Sequence, residues 1–198
     1  MKILLAIPVL LAVPFFAATP APAVVQATAA DTWTVDSGHS SVVFRIQHGG
    51  VTPFYGTFES ISGAITLDPA APDKGTVELL IPVGSLHTRD AKRDGHLQGP
   101  DFFNSKENPD IRFRSTAIAK AGEGTYAVKG TLDMAGKQHA VEVTVRDHGD
   151  GEMMGKIHGW SAEFTIKRSD FGMNYGIAQK ALSDEVTVMI GLEGRPAK

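Results

Sequence analysis

From residue 40 onward, one segment after another alternates apolar and polar residues with a period of two, and a strand turns that pattern into one apolar and one polar face. In SSVVFRIQH (40–48), Val42, Phe44 and Ile46 share one face while Ser41, Arg45 and Gln47 share the other. FYGTFESISGAITLD (54–68) alternates too, but its apolar parity moves from Phe54 and Phe58 to Ile61, Ile65 and Leu67. That shift predicts one long strand bent by a bulge near Ser60. TVELLIP (76–82), IRFRSTAI (111–118), TYAVKGTLD (125–133), HAVEVTVR (139–146), HGWSAEFTIKR (158–168) and DEVTVMIGLE (184–193) bring the count to eight strands. Between them, DPAAPDKG, KAGEG, MAGK and DHGDGEMMG supply turn chemistry.

Two connections are long, residues 84–110 and 169–184, and a helical period is visible only over residues 90–97, where Gly95 weakens it and Gly99-Pro100 ends it. Successive antiparallel strands leave exposed edges, and closing the sheet removes them. The expected fold is therefore all-β, an eight-stranded antiparallel barrel with a short helical cap; a two-sheet sandwich is the alternative. In an up-and-down barrel the odd-numbered strands finish at one end, which brings His48, the start of the 84–110 connection and Arg168 to a common rim.

The first 30 residues carry Lys2, an apolar run from Ile3 to Ala17 and then an Ala, Pro and Thr tract, which reads as a secretory signal peptide followed by a single domain over residues 31–198. The run is short for a bilayer span and is broken by Pro8 and Pro14, so no stable membrane span is expected after its removal. The protein is then periplasmic or secreted. It has no cysteine, so a hydrophobic core alone must hold the fold, and roughly 170 residues suffice for that. Removing Lys2 from 19 basic side chains leaves 18 against 22 acidic ones, a net −4 without the basic excess that draws proteins to nucleic acid.

SLHTRDAKRDGHLQGPDFFNSKENP (85–109) is the most charged stretch. Its His87, Asp90, Asp94 and His96, with His48 outside, could be metal ligands, but their spacing matches no known ligand motif and the neighbouring Arg and Lys compete for the carboxylates. Arg89 and Arg93 are placed to pair with Asp90 and Asp94 and keep both ionised, which leaves no acid–base pair. GHSS (38–41) lacks a nucleophile elbow, and GEGTYA (122–127) precedes a strand where a dinucleotide fingerprint should open a helix. No catalytic residue, metal or cofactor is assigned. An apolar interior with a charged rim suits an amphiphile, its hydrocarbon inside and its head at the mouth. The lining candidates are Phe44, Ile46, His48, Leu79, Ile81, Phe113, Trp160, Phe164, Ile166 and Arg168. Residues 85–109 then form a cap, with Arg89, Asp90, Arg93, Asp94 and His96 fastening it and Leu97, Phe102 and Phe103 packing beneath.

WTVDSGHSSVVFRIQH, YGTFESISGAITLD, RDGHL followed by DFF, NPDIRFRST, GTLDMAGK and RSDFG, in this order and spacing, resemble the YceI-like proteins, also called the polyisoprenoid-binding or base-induced periplasmic family. The resemblance covers the chain after the signal segment. It implies a lipocalin-like barrel that holds a long-chain lipid such as a polyisoprenoid, quinone-like molecule or fatty amphiphile, often as a homodimer and without enzymatic activity. The lipocalin Gly-x-Trp signature is absent. The family pattern falls on His39, Phe44 and His48, on Arg93, Asp94, His96 and Leu97, on Phe102 and Phe103, and on Arg168, Asp170, Phe171 and Gly172. Gln98-Gly99-Pro100 stands where the family often has a basic residue and a serine, which removes one feature favouring an anionic diphosphate head; Asp133 and Lys137 are further departures, at a hairpin tip. The expected function is that of an extracytoplasmic lipid carrier or sequestering protein. A metal-dependent hydrolase built on His87, Asp90, Asp94 and His96, or an interaction module that binds no lipid, are the alternatives.

Overall fold

Strand structure begins earlier than the alternation suggests. A computed structural model describes residues 31–197, and the expected signal segment 1–30 lies outside the described residues. Strand β1 (Asp31–Val35) leads through a single turn of 3-10 helix at Ser37–His39 into β2 (Ser41–His48). Asp36 caps that turn by accepting the Gly38 N–H, and Ser40 donates its hydroxyl back to the Asp36 carbonyl. The two strands are thus one stave with a kink, and the WTV segment was missed because only three of its residues alternate.

β3 (Thr52–Phe58) and β4 (Ser62–Leu67) form the second stave. The expected bend near Ser60 is a complete break in pairing over three residues. Gly63 has φ +148, and a Cβ there would collide with the Glu78 carbonyl, so only glycine lets β4 approach β5 (Thr76–Pro82) so closely. The remaining long strands are β7 (Asp110–Gly122), β8 (Thr125–Met134), β9 (Lys137–Glu152), β10 (Lys156–Lys167) and β11 (Leu182–Pro196). The short β6 (Leu86–His87) adds to the edge of β3, and one helix, α1 (Ala91–Leu97), follows it. Every pairing is antiparallel. β5, β7, β8, β9, β10 and β11 run as a meander, and β11 pairs with both β1 and β2 while β1 pairs with β4, which closes eight staves into a barrel.

β9 and β10 are longer than expected. The DHGDGEMMG segment has the sequence of a turn, but most of it is a strand ribbon that continues past the wall with a bulge opposite Gly159 and Trp160, and only Met153–Gly155 turns. Its polar residues mask strand pairing because both faces of a protruding ribbon can meet water.

Register explains the interior. Ile166, Val186, Ile46 and Phe54 are partners across four neighbouring strands, as are Phe164, Val188, Phe44 and Gly56, and then Ala162, Ile190, Val42 and Phe58. Three stacked rows therefore point inward from this part of the wall. The opposite wall supplies Leu79, Phe113 and Leu132, again in register. At one end of the barrel Trp33, Ile65 and Trp160 form a separate buried cluster that acts as its floor.

Candidate functional site

The inward rows enclose a cavity of about 550 Å³, walled almost wholly by apolar side chains. All ten lining candidates, Phe44, Ile46, His48, Leu79, Ile81, Phe113, Trp160, Phe164, Ile166 and Arg168, border it. Its floor residues, among them Ile65, Ile118, Tyr126 and Trp160, are buried, whereas His48, Arg93, His96, Tyr175 and Ala181 at the other end are exposed. That end is the mouth. Burial pushes the Tyr126 phenol above its usual pKa, with Asp147 and Asp68 adding to the effect, so the one hydroxyl-bearing ring at the floor stays uncharged.

Residues 85–109 lie across part of the mouth. Leu97, Phe102 and Phe103 pack into the main core cluster, and Arg93, His96, Leu97, Phe102 and Phe103 border the cavity. Phe103 sets its edge against Phe58 at 5.8 Å, and Phe102, His96 and Tyr175 form a trio with centroids 5.0–5.4 Å apart. Tyr175, from the other long connection, escaped the sequence reading because one aromatic in a polar loop has no period to place it.

The fastening differs from the expected ion pairs. Among the described residues Arg89, Asp90, Arg93 and Asp94 make no salt bridge with one another; the charges converge instead on Thr88, which is 1% exposed. Asp94 accepts both the backbone N–H and the hydroxyl of Thr88, while Arg93 donates Nε to the Thr88 hydroxyl (2.8 Å) and Nη2 to its carbonyl (2.6 Å). Asp90 caps α1, accepting from the N–H groups of Lys92 and Arg93 at 3.0 Å. The Arg93 bond, set against some desolvation and joined by the Lys92 bond, holds the Asp90 carboxyl below the usual carboxylate range. Arg89 only turns the chain, at φ 66. A threonine carries no charge, so nothing in its one-letter code marks it as the hub.

The proposed metal quartet does not converge. His87 lies 3.6 Å from Glu59, His96 pairs with Asp101 at 2.9 Å, and Asp90 and Asp94 are engaged as described. Among the described residues, Asp36, His39 and Glu193 form the one group of three possible ligands, and Arg195 already bridges it, at 2.9 Å from Asp36 and 3.2 Å from Glu193. The Arg195 hydrogen bond, then that of His39, lower the Asp36 pKa to about 2. This is an ion-pair clasp at the kink of the first stave.

Arg168, 3% exposed, follows β10 at the rim. It donates to the carbonyls of Met173 (2.6 Å), Ser183 (2.8 Å) and Leu182 (3.4 Å), so it binds the 169–184 connection to the barrel. Burial pulls its pKa below the usual arginine value while Asp184 acts the other way. Asp184 itself accepts the Ser169 N–H (2.9 Å) and hydroxyl (2.8 Å); against the cost of burial these bonds, with the Arg168 charge, hold its carboxyl below the ordinary range.

The family model for the YceI-like domain matches residues 33–194, nearly all of the described chain. A UPF0312 protein of Serratia proteamaculans is 37% identical over 175 residues, covering 87% of this chain and 90% of the relative. BcnA of Burkholderia cenocepacia has the same fold, with a TM-score of 0.75 at 29% identity over 81% of this chain and 99% of its own. A structure described as a polyisoprenoid binding domain from Saccharophagus degradans superposes with a TM-score of 0.66 at 16% identity, covering 83% of this chain and 98% of that one. The family motifs and the fold agree across the whole barrel, and this chain belongs to the YceI-like family.

Proposed function

We propose that the protein is an extracytoplasmic carrier or sequestering protein that holds a long-chain amphiphile, a polyisoprenoid or lipid of similar shape, inside the barrel. The observation that carries this reading is the cavity itself: about 550 Å³ of apolar space, continuous from an exposed mouth to a buried floor. Such a volume is within the range of small-molecule sites, and each methylene moved into it from water contributes on the order of 0.8 kcal/mol. The fold shared with a polyisoprenoid binding domain supports the same ligand class, and the N-terminal sequence supports export. No helix among the described residues is long and apolar enough to cross a membrane. Binding is favoured over catalysis because the acidic side chains beside the mouth are committed to Thr88, Ser169, the start of α1 and His96.

Native mass spectrometry of protein purified from the compartment into which it is secreted tests this. A co-purifying lipid, or stoichiometric uptake of added geranylgeraniol after delipidation, is the expected result. A ligand-free protein that takes up no isoprenoid, quinone or fatty amphiphile would overturn it.

A further inference from the structure

Five large apolar side chains are exposed among the described residues: Val51 at 82%, Tyr55 at 45%, Met153 at 57%, Met154 at 90% and Tyr175 at 51%. Tyr55 lies on the outer wall opposite Arg45, and Met153 and Met154 form the tip of the ribbon that extends past the floor. Val51 and Tyr175 stand at the other end. Val51 ends the turn between β2 and β3, three residues beyond His48 on the rim, and Tyr175 borders the mouth. They belong to one surface. The Gly49 N–H donates to the Ala181 carbonyl at 2.8 Å, and the Ala181 N–H donates to the carbonyl of Gly176, next to Tyr175, at 2.9 Å. The Tyr175 ring carries that surface on to the cap, with centroids 5.0 Å from His96 and 5.4 Å from Phe102.

Little net charge accompanies this rim. Residues 85–109 carry four basic and four acidic side chains, residues 169–184 carry Lys180 against Asp170 and Asp184, and the turn at 49–51 carries none. Asp101 is paired with His96 at 2.9 Å, and Asp94 and Asp184 accept from Thr88 and Ser169. A strongly charged partner finds no complementary field here, whereas an apolar one finds two exposed side chains. Two side chains are far short of the roughly 1,200 Å² that a stable protein–protein interface buries. Separate loop residues can, however, enter a lipid interface one by one, and tyrosine is enriched at that level of a bilayer. The cavity adds its own requirement. Trp33, Ile65 and Trp160 close its floor, so a chain passes only through the mouth. Each methylene that leaves for water shifts the equilibrium roughly fourfold against release, and about ten of them shift it on the order of a millionfold. Departure into a bilayer held against the mouth removes that penalty.

Building on the lipid-binding reading, we propose that Val51 and Tyr175 form a docking surface for a zwitterionic lipid bilayer, which sets the mouth against the membrane so that the amphiphile passes without crossing water. A contact of two side chains is weak and reversible, as a carrier that leaves again requires.

The test follows transfer of retinol, a fluorescent isoprenoid alcohol, from loaded protein to vesicles of phosphatidylcholine and phosphatidylethanolamine doped with a quenching lipid. The expected rate rises in proportion to vesicle concentration and changes little in high salt. Val51→Asp should lower it about tenfold, the equivalent of one apolar side chain kept in water. Retinol affinity, read separately by fluorescence titration, should not change in that variant, because Val51 does not border the cavity. Val51→Leu should keep the parent rate. Tyr175→Ser should also slow vesicle-dependent transfer, and Met154→Asp, at the far end, should leave it unaltered. A rate independent of vesicle concentration, a steep loss in high salt, or a rate that falls with Met154→Asp and not with Val51→Asp overturns the proposal while lipid binding stands. So does a stable dimer in sedimentation that Val51→Asp dissociates, because a second copy then covers the rim. Failure of the parent to bind retinol or any other isoprenoid or fatty chain overturns lipid binding itself.

Discussion

At the floor of the barrel Lys156 lies 3.1 Å from Asp31 and 3.2 Å from Asp150, and both ring nitrogens of His158 face carboxylate oxygens, those of Asp147 and Asp150. Trp33 takes the Lys156 ammonium over its ring at 4.8 Å, and His158 stacks on Trp160 at 4.4 Å. At the mouth, Arg93 and Arg168 meet hydroxyl and carbonyl oxygens, and the nearby carboxylates bind other donors. Charges matched in pairs stiffen a structure and leave little field beyond it. Charges held by neutral dipoles keep more of their field, which at the mouth applies to Arg93 and Arg168 although not to His96, paired with Asp101 at 2.9 Å.

The comparison breaks first at its apolar parts. Trp160→Ala should cost about 3–5 kcal/mol, because a floor side chain packed on Trp33, His158 and Leu192 leaves a void. Phe164→Ala removes a side chain that borders open space, so the transfer term dominates and roughly 1.5–3 kcal/mol is expected, with weaker lipid uptake. Urea unfolding of both variants checks the order; an equal or larger loss at Phe164 would mean that the chamber is packed solid.

Asp94→Ala sharpens the view of the mouth. It leaves the buried Thr88 N–H and hydroxyl without their acceptor, a loss of roughly 1–3 kcal/mol. Hydrogen exchange should rise across residues 85–109 and remain unchanged at the floor, and release of bound lipid should quicken. Unchanged protection of the cap would remove Thr88 as its hub.

A smaller effect is expected at the kink of the first stave. Asp36, held to a pKa of about 2 by Arg195 and then His39, with Glu193 also on the Arg195 fork, ionises in the native state at lower pH than when unfolded. A depressed carboxyl stabilises above its unfolded value, near 3.8, and that contribution disappears as pH falls through about 2. The gap in urea midpoint between the parent and Asp36→Asn should therefore be constant above about pH 5, begin to narrow below about pH 4 and reach its minimum near pH 2. Smallest of all is Arg114→Ala. Its partner Glu78 is 3.4 Å away on the exposed wall, and the loss should be about 0.5 kcal/mol or less.

The strands that form the chamber were legible because one buried face writes a period of two into the sequence, and Val42, Phe44, Ile46, Phe164 and Ile166 all follow it. The cap was legible as an interruption of that period. What holds the cap was not, since Asp94 and Arg93 read as an ion pair in sequence yet meet only through Thr88. The floor was equally hidden: Asp147 and Asp150 sit in a glycine-rich segment that reads as a turn, and it is their pairing with the start of β10, with a bulge opposite Gly159 and Trp160, that brings them to His158 beside the tryptophans. Local pattern reports which face is buried, whereas side-chain partners depend on register between distant segments.

Two phenyl rings in the wall lie where no side chain opposes them. A methyl group added at Gly56 would overlap the Phe44 ring, and one at Gly130 would overlap that of Phe113. The far end of each ring occupies the place a Cβ would take on the neighbouring strand, an arrangement that only glycine permits. The bore of the chamber is consequently set by two atoms that are missing from the wall. An alanine at either position would push a phenyl ring inward and narrow the cavity, with no cavity-lining residue substituted. Calibre can thus drift among such barrels independently of the polar rim, so barrels with the same rim need not have cavities of the same width.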